Sequence, residues 1–112
     1  MKETDVRVIK LIIEKIERLN EICSNHSFEE VANSFILSDS LQYEFEKMHF
    51  DIQKLLPEFY ILYPSFPIDK IRGIRNRVAH DYESVILSIL YNAVIYDLPS
   101  VKQVLLSLIE NN

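Results

Sequence analysis

The sequence is short of the residues that make tight turns and covalent cross-links. It has one glycine, Gly73, and one cysteine, Cys23, among its 112 residues. Turn-rich β folds need glycine where the backbone adopts a positive φ, so this scarcity favours long helices. A single cysteine excludes an intramolecular disulfide and a metal cluster built from cysteines.

Two further absences bear on membranes and nucleic acids. No apolar run approaches the roughly 20 residues of a membrane span, and the N-terminal segment lacks the apolar region of a signal peptide. We therefore expect a cytoplasmic protein with no membrane partner. The net charge is −5 at pH 7, whereas a nucleic-acid-binding domain is typically basic. Any contact with RNA or DNA must therefore be local.

Apolar residues recur at helical spacing along the chain. The pattern predicts a first helix from about Thr4 to Cys23 and a second long helix from about Ser38 or Asp39 to Leu56, with Pro57 stopping it or lying just past its end. Between them, Ser27 can cap a short helix, with Glu30 as its capping-box partner.

The second half of the chain is also predicted to be helical. The segment YPSFPID, with two prolines, is predicted to be a loop, and a third helix starts near 67–69. The segment 84–96 is apolar on nearly every side, which predicts a helix buried in the core or against another chain. A last helix begins at Asp97 to Pro99. The length fits a single domain, 1–112, and the fold class is all-α, a bundle of four long helices plus one or two short ones.

The segment IRGIRNRVAHDY, 71–82, concentrates cationic and proton-transferring residues in an acidic chain. His80 can give or take a proton near neutral pH. Arg75 can hold a phosphate by two hydrogen bonds and stabilise charge that develops on it. Lys70, Arg72 and Arg77 add local positive charge for a polyanion. This set suits cleavage of an RNA phosphodiester without a metal or another cofactor, although arginine and histidine in a helix also serve as surface or capping residues.

The two principal catalytic candidates do not lie on the same face of an ideal helix. Arg75 and His80 are five residues apart, about 140° around an ideal helix. They would flank a site from two sides, unless the helix bends or ends between them or a dimer partner brings them together.

The run from Arg75 to Tyr82 resembles the Arg-x4-His-x-Tyr motif of HepT-like proteins in the HEPN superfamily, and the surrounding FPIDKIRGIRNRVAHDYESV is similar to the signature of that family. The resemblance implies a HEPN-like helical bundle that forms a homodimer. It implies a metal-independent ribonuclease, the toxin of a toxin–antitoxin pair, with RNA as substrate. It implies catalytic roles for Arg75 and His80 and a supporting role for Asn76. The implied partner is a minimal nucleotidyltransferase of the MntA type, which transfers AMP to Tyr82.

The chain departs from its relatives at two places. Relatives often have a tryptophan after the loop proline, where this chain has Ile68, and a Gly-Glu pair in the second long helix, where it offers at best Asp51. The alternative function is a non-catalytic helical partner of a nucleotidyltransferase.

The remaining histidines and the cysteine are predicted to be structural. His26 and His49 are expected at a helix start or on the surface. His49 and Asp51 are two apart, so on a helix they would not share a metal ion. Cys23 ends an apolar stripe and is expected in the core.

Overall fold

The computed structural model describes residues 1–55, 57–78 and 83–111. Every regular element within these residues is an α-helix, which confirms the all-α prediction. In chain order the helices are α1 (Glu3–Ser24), α2 (Phe28–Ala32), α3 (Phe35–Gln53), α4 (Pro57–Leu62), α5 (Ile68–Val78), α6 (Glu83–Tyr96) and α7 (Leu98–Glu110).

Two serines set where the helices after α1 begin. The Ser27 hydroxyl accepts a hydrogen bond from the Glu30 backbone N–H, and the Glu30 carboxylate accepts one from the Ser27 N–H, so the predicted capping box is present. Ser34 caps α3 by accepting from the Leu37 N–H at 3.2 Å. The prediction that this helix starts at Ser38 or Asp39 was wrong by about one turn, because Phe35 and Ile36 are exposed and do not continue the apolar stripe.

The segment around Pro57 also differs from its prediction. Pro57 begins a helix, α4, and α3 has already ended at Gln53. Proline suits the first turn of a helix, where its missing N–H would have no partner. The buried Phe59 of α4 makes edge contacts with Tyr60 and Phe66, and these contacts join α4 to the segment that precedes α5.

Helix α1 lies at the centre of the bundle. It packs on α3 along one side and on α6 and α7 along others. Its apolar stripe is buried as predicted, and so is Cys23. The principal buried residues of α1 and α3 are Ile9, Ile12, Ile16, Leu19, Leu41, Phe45, Met48 and Ile52.

Helix α6 is covered more completely than its composition suggests. Leu87, Leu90, Ala93 and Val94 are buried, whereas Val85 is 41% exposed. Across the described residues, no single helix is long and apolar enough to span a membrane. Helices α6 and α7 would reach that length only as a pair, and they are bent by 49° at their junction.

Candidate functional site

Helix α5 presents its basic residues on two different faces. Ile71, Ile74 and Val78 are buried against the core. Around an ideal helix, Lys70 and Arg77 are only about 20° apart and Arg72 and Arg75 about 60° apart, and the two pairs point in different directions. The four cations between Lys70 and Arg77 are therefore divided between two faces of the helix.

The contacts made by Lys70 and Arg75 agree with this division. The Lys70 Nζ lies 3.6 Å from Asp97 Oδ1, at the junction of α6 and α7. The Arg75 Nε lies 3.1 Å from Glu46 Oε1 on α3. Arg72 and Arg75 thus face α3 and α4, whereas Lys70 faces the other side of the bundle.

The Arg75–Glu46 contact is an ion pair without an aligned hydrogen bond. The Arg75 Nε is buried, yet its N–H is not directed at an acceptor of any described residue. The rest of the guanidinium remains accessible, since the Arg75 side chain is 36% exposed. Glu46 therefore fixes one edge of the guanidinium and leaves the charge available to a phosphate.

Arg75 and Glu46 line a small cleft between α3, α5 and α6, which we call the arginine cleft. Its volume is about 140 Å³, and its other walls are Gln42, Val78, Ile86 and Leu90. Val78 is the last residue of α5, and Ile86 lies in the first turn of α6. The cleft is therefore bordered by residues on both sides of the 79–82 segment.

His49 is a candidate site residue that the sequence analysis did not propose. It lies one turn after Glu46 on α3, not at a helix start, and it is half-buried. Burial lowers the pKa of the imidazole, and the nearby positive charges of Arg75 and Arg72 lower it further, against the opposing effect of Glu46. His49 is therefore neutral at pH 7. The sequence predicts His49 at a helix start or on the surface, whereas α3 places it half-buried, near the two arginines that face α3 and α4.

A second cleft lies next to the first, and we call it the α4 cleft. Its volume is about 160 Å³. His49, Gln53, Tyr60 and Arg72 supply its polar groups, and Ile52, Leu55 and Ile68 supply apolar walls. Larger clefts of about 210 and 370 Å³ border α1, but none of the basic residues of α5 lines them.

Comparison with known protein families identifies the chain. The model of the HepT-like family, described as ribonuclease HepT-like, matches residues 12–108. The chain belongs to the HepT-like ribonuclease family. It is therefore a ribonuclease of the HEPN type, and RNA is its substrate class. No curated protein and no solved structure shows significant similarity to it.

Of the acidic residues Glu46 and Asp51 on α3, Glu46 is the one that lies beside Arg75. Asp51 does not face Arg75, because it is buried on α3 with its Oδ1 3.1 Å from Lys54 Nζ. The carboxylate beside the motif arginine of this HepT-like chain is instead Glu46. The sequence signal for it was present but weak: Glu46, His49 and Gln53 follow one another at three- and four-residue spacing along α3.

The other predicted site residues fall into two groups. Asn76 and Arg77 are exposed on α5, and Arg77 forms no ion pair with another described residue. His80 and Tyr82 lie outside the described residues, so their roles stay predictions. Within the described part of the chain, no three His, Cys, Asp or Glu side chains are grouped closely enough to hold a metal ion.

Proposed function

We propose that this HepT-like ribonuclease is an endoribonuclease toxin that cuts RNA without a metal ion, in the cytoplasm. The observation that carries the proposal is the half-exposed Arg75, held by Glu46 at the arginine cleft five residues before His80 in the Arg-x4-His-x-Tyr motif. Arg75 would bind the phosphate that is cut and stabilise the negative charge that grows on its oxygens.

In this mechanism the 2′-hydroxyl of the RNA attacks the adjacent phosphorus. The bond between O2′ and phosphorus forms, and the bond between phosphorus and O5′ breaks, which leaves a 2′,3′-cyclic phosphate and a 5′-hydroxyl. The 2′-hydroxyl loses a proton and the O5′ gains one. His80 would carry one of these two protons, because an imidazole titrates near neutral pH.

The test of this activity is incubation of purified protein with total RNA, with and without a chelator. We expect cleavage in both conditions, and we expect His80→Ala to abolish it while circular dichroism shows unchanged helicity. His26→Ala is the matched control, since His26 lies between α1 and α2 and pairs with Glu30. Full cleavage by the His80 variant, or complete loss with chelator, would contradict the mechanism.

We further propose that a cognate minimal nucleotidyltransferase of the MntA type neutralises the toxin by transferring AMP to Tyr82. The phenol oxygen would attack the α-phosphorus of ATP, pyrophosphate would leave, and the phenol proton would pass to a base. The attached phosphodiester carries one negative charge. It would compete with RNA for cations such as Arg72 and Arg75, which face the two clefts.

Co-expression with the nucleotidyltransferase, followed by intact mass and peptide mapping, tests this modification. We expect added mass of one or more AMP units on the peptide that contains Tyr82, and none in a Tyr82→Phe variant. Tyr96→Phe is the control, because Tyr96 is 76% exposed at the end of α6 and offers a phenol to any unselective transfer. AMP on other residues, or a Tyr82→Phe protein that is still modified and neutralised, would refute the assignment.

A further inference from the structure

The α4 cleft lies one helical turn from the arginine cleft on both helices that border it. Arg72 precedes Arg75 by three residues on α5, and His49 follows Glu46 by three residues on α3. Three helical residues rise about 4.5 Å along the axis, a distance of the order of one nucleotide step along a strand. A strand with one phosphate at Arg75 would thus bring the neighbouring nucleotide to the α4 cleft.

The volume of the α4 cleft fits a ligand group with a single ring system. A cavity of about 150 Å³ accommodates one benzene ring, whereas pockets for whole drug-sized ligands or cofactors begin at about 300 Å³. At about 160 Å³, the cleft has room for one heterocyclic base and leaves the sugar and phosphate outside.

The cleft is lined by apolar surface and by polar side chains, some of which have no hydrogen-bond partner among the described residues. Within the described residues, the side chains of His49 and Gln53 form no hydrogen bond, and Arg72 forms no ion pair. The Tyr60 hydroxyl donates a hydrogen bond to the Ile52 carbonyl at 3.0 Å. This contact holds the Tyr60 ring in place at the side of the cleft.

The side chains of His49 and Gln53 have the donors and acceptors that a base edge requires. The pKa of His49 is lowered mainly by burial, so the ring is neutral and offers one donor and one acceptor. The Gln53 amide offers two donors and an acceptor. Unstacked RNA bases are recognised by hydrogen bonds to their edges and by packing against aromatic rings or guanidinium planes.

We propose that the α4 cleft is a nucleobase subsite, in which His49 and Gln53 contact the edge of the base next to the cleaved phosphodiester and Arg72 and Tyr60 flank it. The subsite rests on the proposed ribonuclease function and adds a preference for particular bases to it. Contacts to the phosphate backbone carry no sequence information, so any base preference of the enzyme has to come from such a pocket.

The experiment separates binding from cleavage by using 2′-O-methyl hexanucleotides of adenine, cytosine or uracil, which cannot be cut by attack of a 2′-hydroxyl. Fluorescence anisotropy gives the affinity of the wild-type protein for each. We expect the three affinities to differ. Gln53→Leu should reduce the difference by about three- to tenfold, the effect of one hydrogen bond of ordinary net strength. His49→Ala should act in the same direction.

Gln103→Leu is the matched control, because Gln103 lies on α7 and lines neither of the two clefts. Gln53 is exposed at the end of α3, so its replacement should fold even if the His49 variant does not. Equal wild-type affinities for the three oligonucleotides, or a preference unchanged in Gln53→Leu, would overturn the subsite. A base preference without cleavage of unmodified RNA would refute the proposed function but not the subsite. Cleavage of RNA without a preference that depends on Gln53 would refute the subsite but not the proposed function.

Discussion

At the scale of single residues, the ion pair between Arg75 and Glu46 orients the guanidinium more than it stabilises the fold. Both side chains are partly exposed, at 36% and 52%, and exposed ion pairs contribute less than about 1 kcal/mol. A carboxylate this close to Arg75, which we propose binds the phosphate, would also repel the substrate. The carboxylate therefore benefits catalysis only if orienting the guanidinium lowers the barrier by more than the weaker attraction for the RNA phosphate raises it.

This argument predicts opposite effects of Glu46→Gln on catalysis and binding. The kcat should fall by about ten- to a hundredfold, because small displacements of a reacting group carry penalties of this order. The affinity for RNA should rise, because one negative charge is removed from the site. Steady-state kinetics and binding to an uncleavable oligonucleotide measure the two effects separately.

The control is Glu14→Gln, which removes the carboxylate of an exposed Arg18–Glu14 pair on α1. It should leave both quantities unchanged. An unaltered kcat in Glu46→Gln would show that Glu46 does not position Arg75.

The residues of the candidate site differ in how far the sequence predicted them. Arg75 could be found because it belongs to a contiguous motif. Glu46 and His49 could not, since their significance depends on which residues of α5 they face, and that is decided by tertiary packing. Lys70 was grouped with Arg72 by proximity in sequence, whereas the helix turns it towards Asp97.

At the scale of helices, α5 contains the only glycine of the chain. Gly73 has an ordinary negative φ, and a Cβ added there would have no atom within 4 Å. Neither backbone strain nor crowding within the protein therefore requires glycine at this position. In a helix interior, glycine is less stable than alanine by about 0.5–1 kcal/mol.

Gly73→Ala should therefore stabilise the protein by about 0.5–1 kcal/mol, because alanine loses less backbone entropy on folding. The melting temperature should rise by about 2–6 °C for a domain of this size, as thermal denaturation followed by circular dichroism would show. Lys10→Ala, at an exposed position of α1, is the control and should change the melting temperature little. A lower melting temperature for the Gly73 variant would mean that α5 needs the flexibility of glycine.

The accuracy of the helix predictions follows from how regular each apolar stripe is. Both bounds of α1 and the start of α7 were predicted within about two residues, since each helix has one clean buried stripe. The start of α3 was missed because Phe35 and Ile36 are exposed apolar residues. Helix α4 was missed because a proline both ends and begins helices, and composition does not distinguish the two roles.

At the scale of the whole molecule, several large apolar side chains of α3 are exposed among the described residues. Helix α6, predicted to be buried in the core or against another chain, has most of its described apolar residues buried or partly buried. Ile36, Tyr43 and Phe50 are spaced by seven residues, so they lie along one face of the helix. All three are more than half exposed. A stripe of this kind is suited to burial against a second copy of the chain.

We accordingly expect a homodimer, with a mass twice the 13.2 kDa of the chain, in static light scattering at micromolar concentration. Tyr43→Glu should shift the protein towards monomer, because a charge would be buried in the interface. Tyr96→Glu, at an exposed position at the end of α6, is the control. A monomeric wild-type protein would contradict both the dimer and the role of α3.

The central position of α1 has a consequence for the synthesis of the protein on the ribosome. Of the seven described helices, α1 is made first, yet one of its faces is covered by α7, the last of the seven to be made. Eighty-six residues separate the end of α1 from the end of α7, and at about 5–20 residues per second their synthesis takes roughly 4–17 s. During that time the bundle that holds α3 and α5 in place is incomplete. A nascent chain should therefore be unable to cut the messenger that encodes it until α7 has been made and has packed on α1.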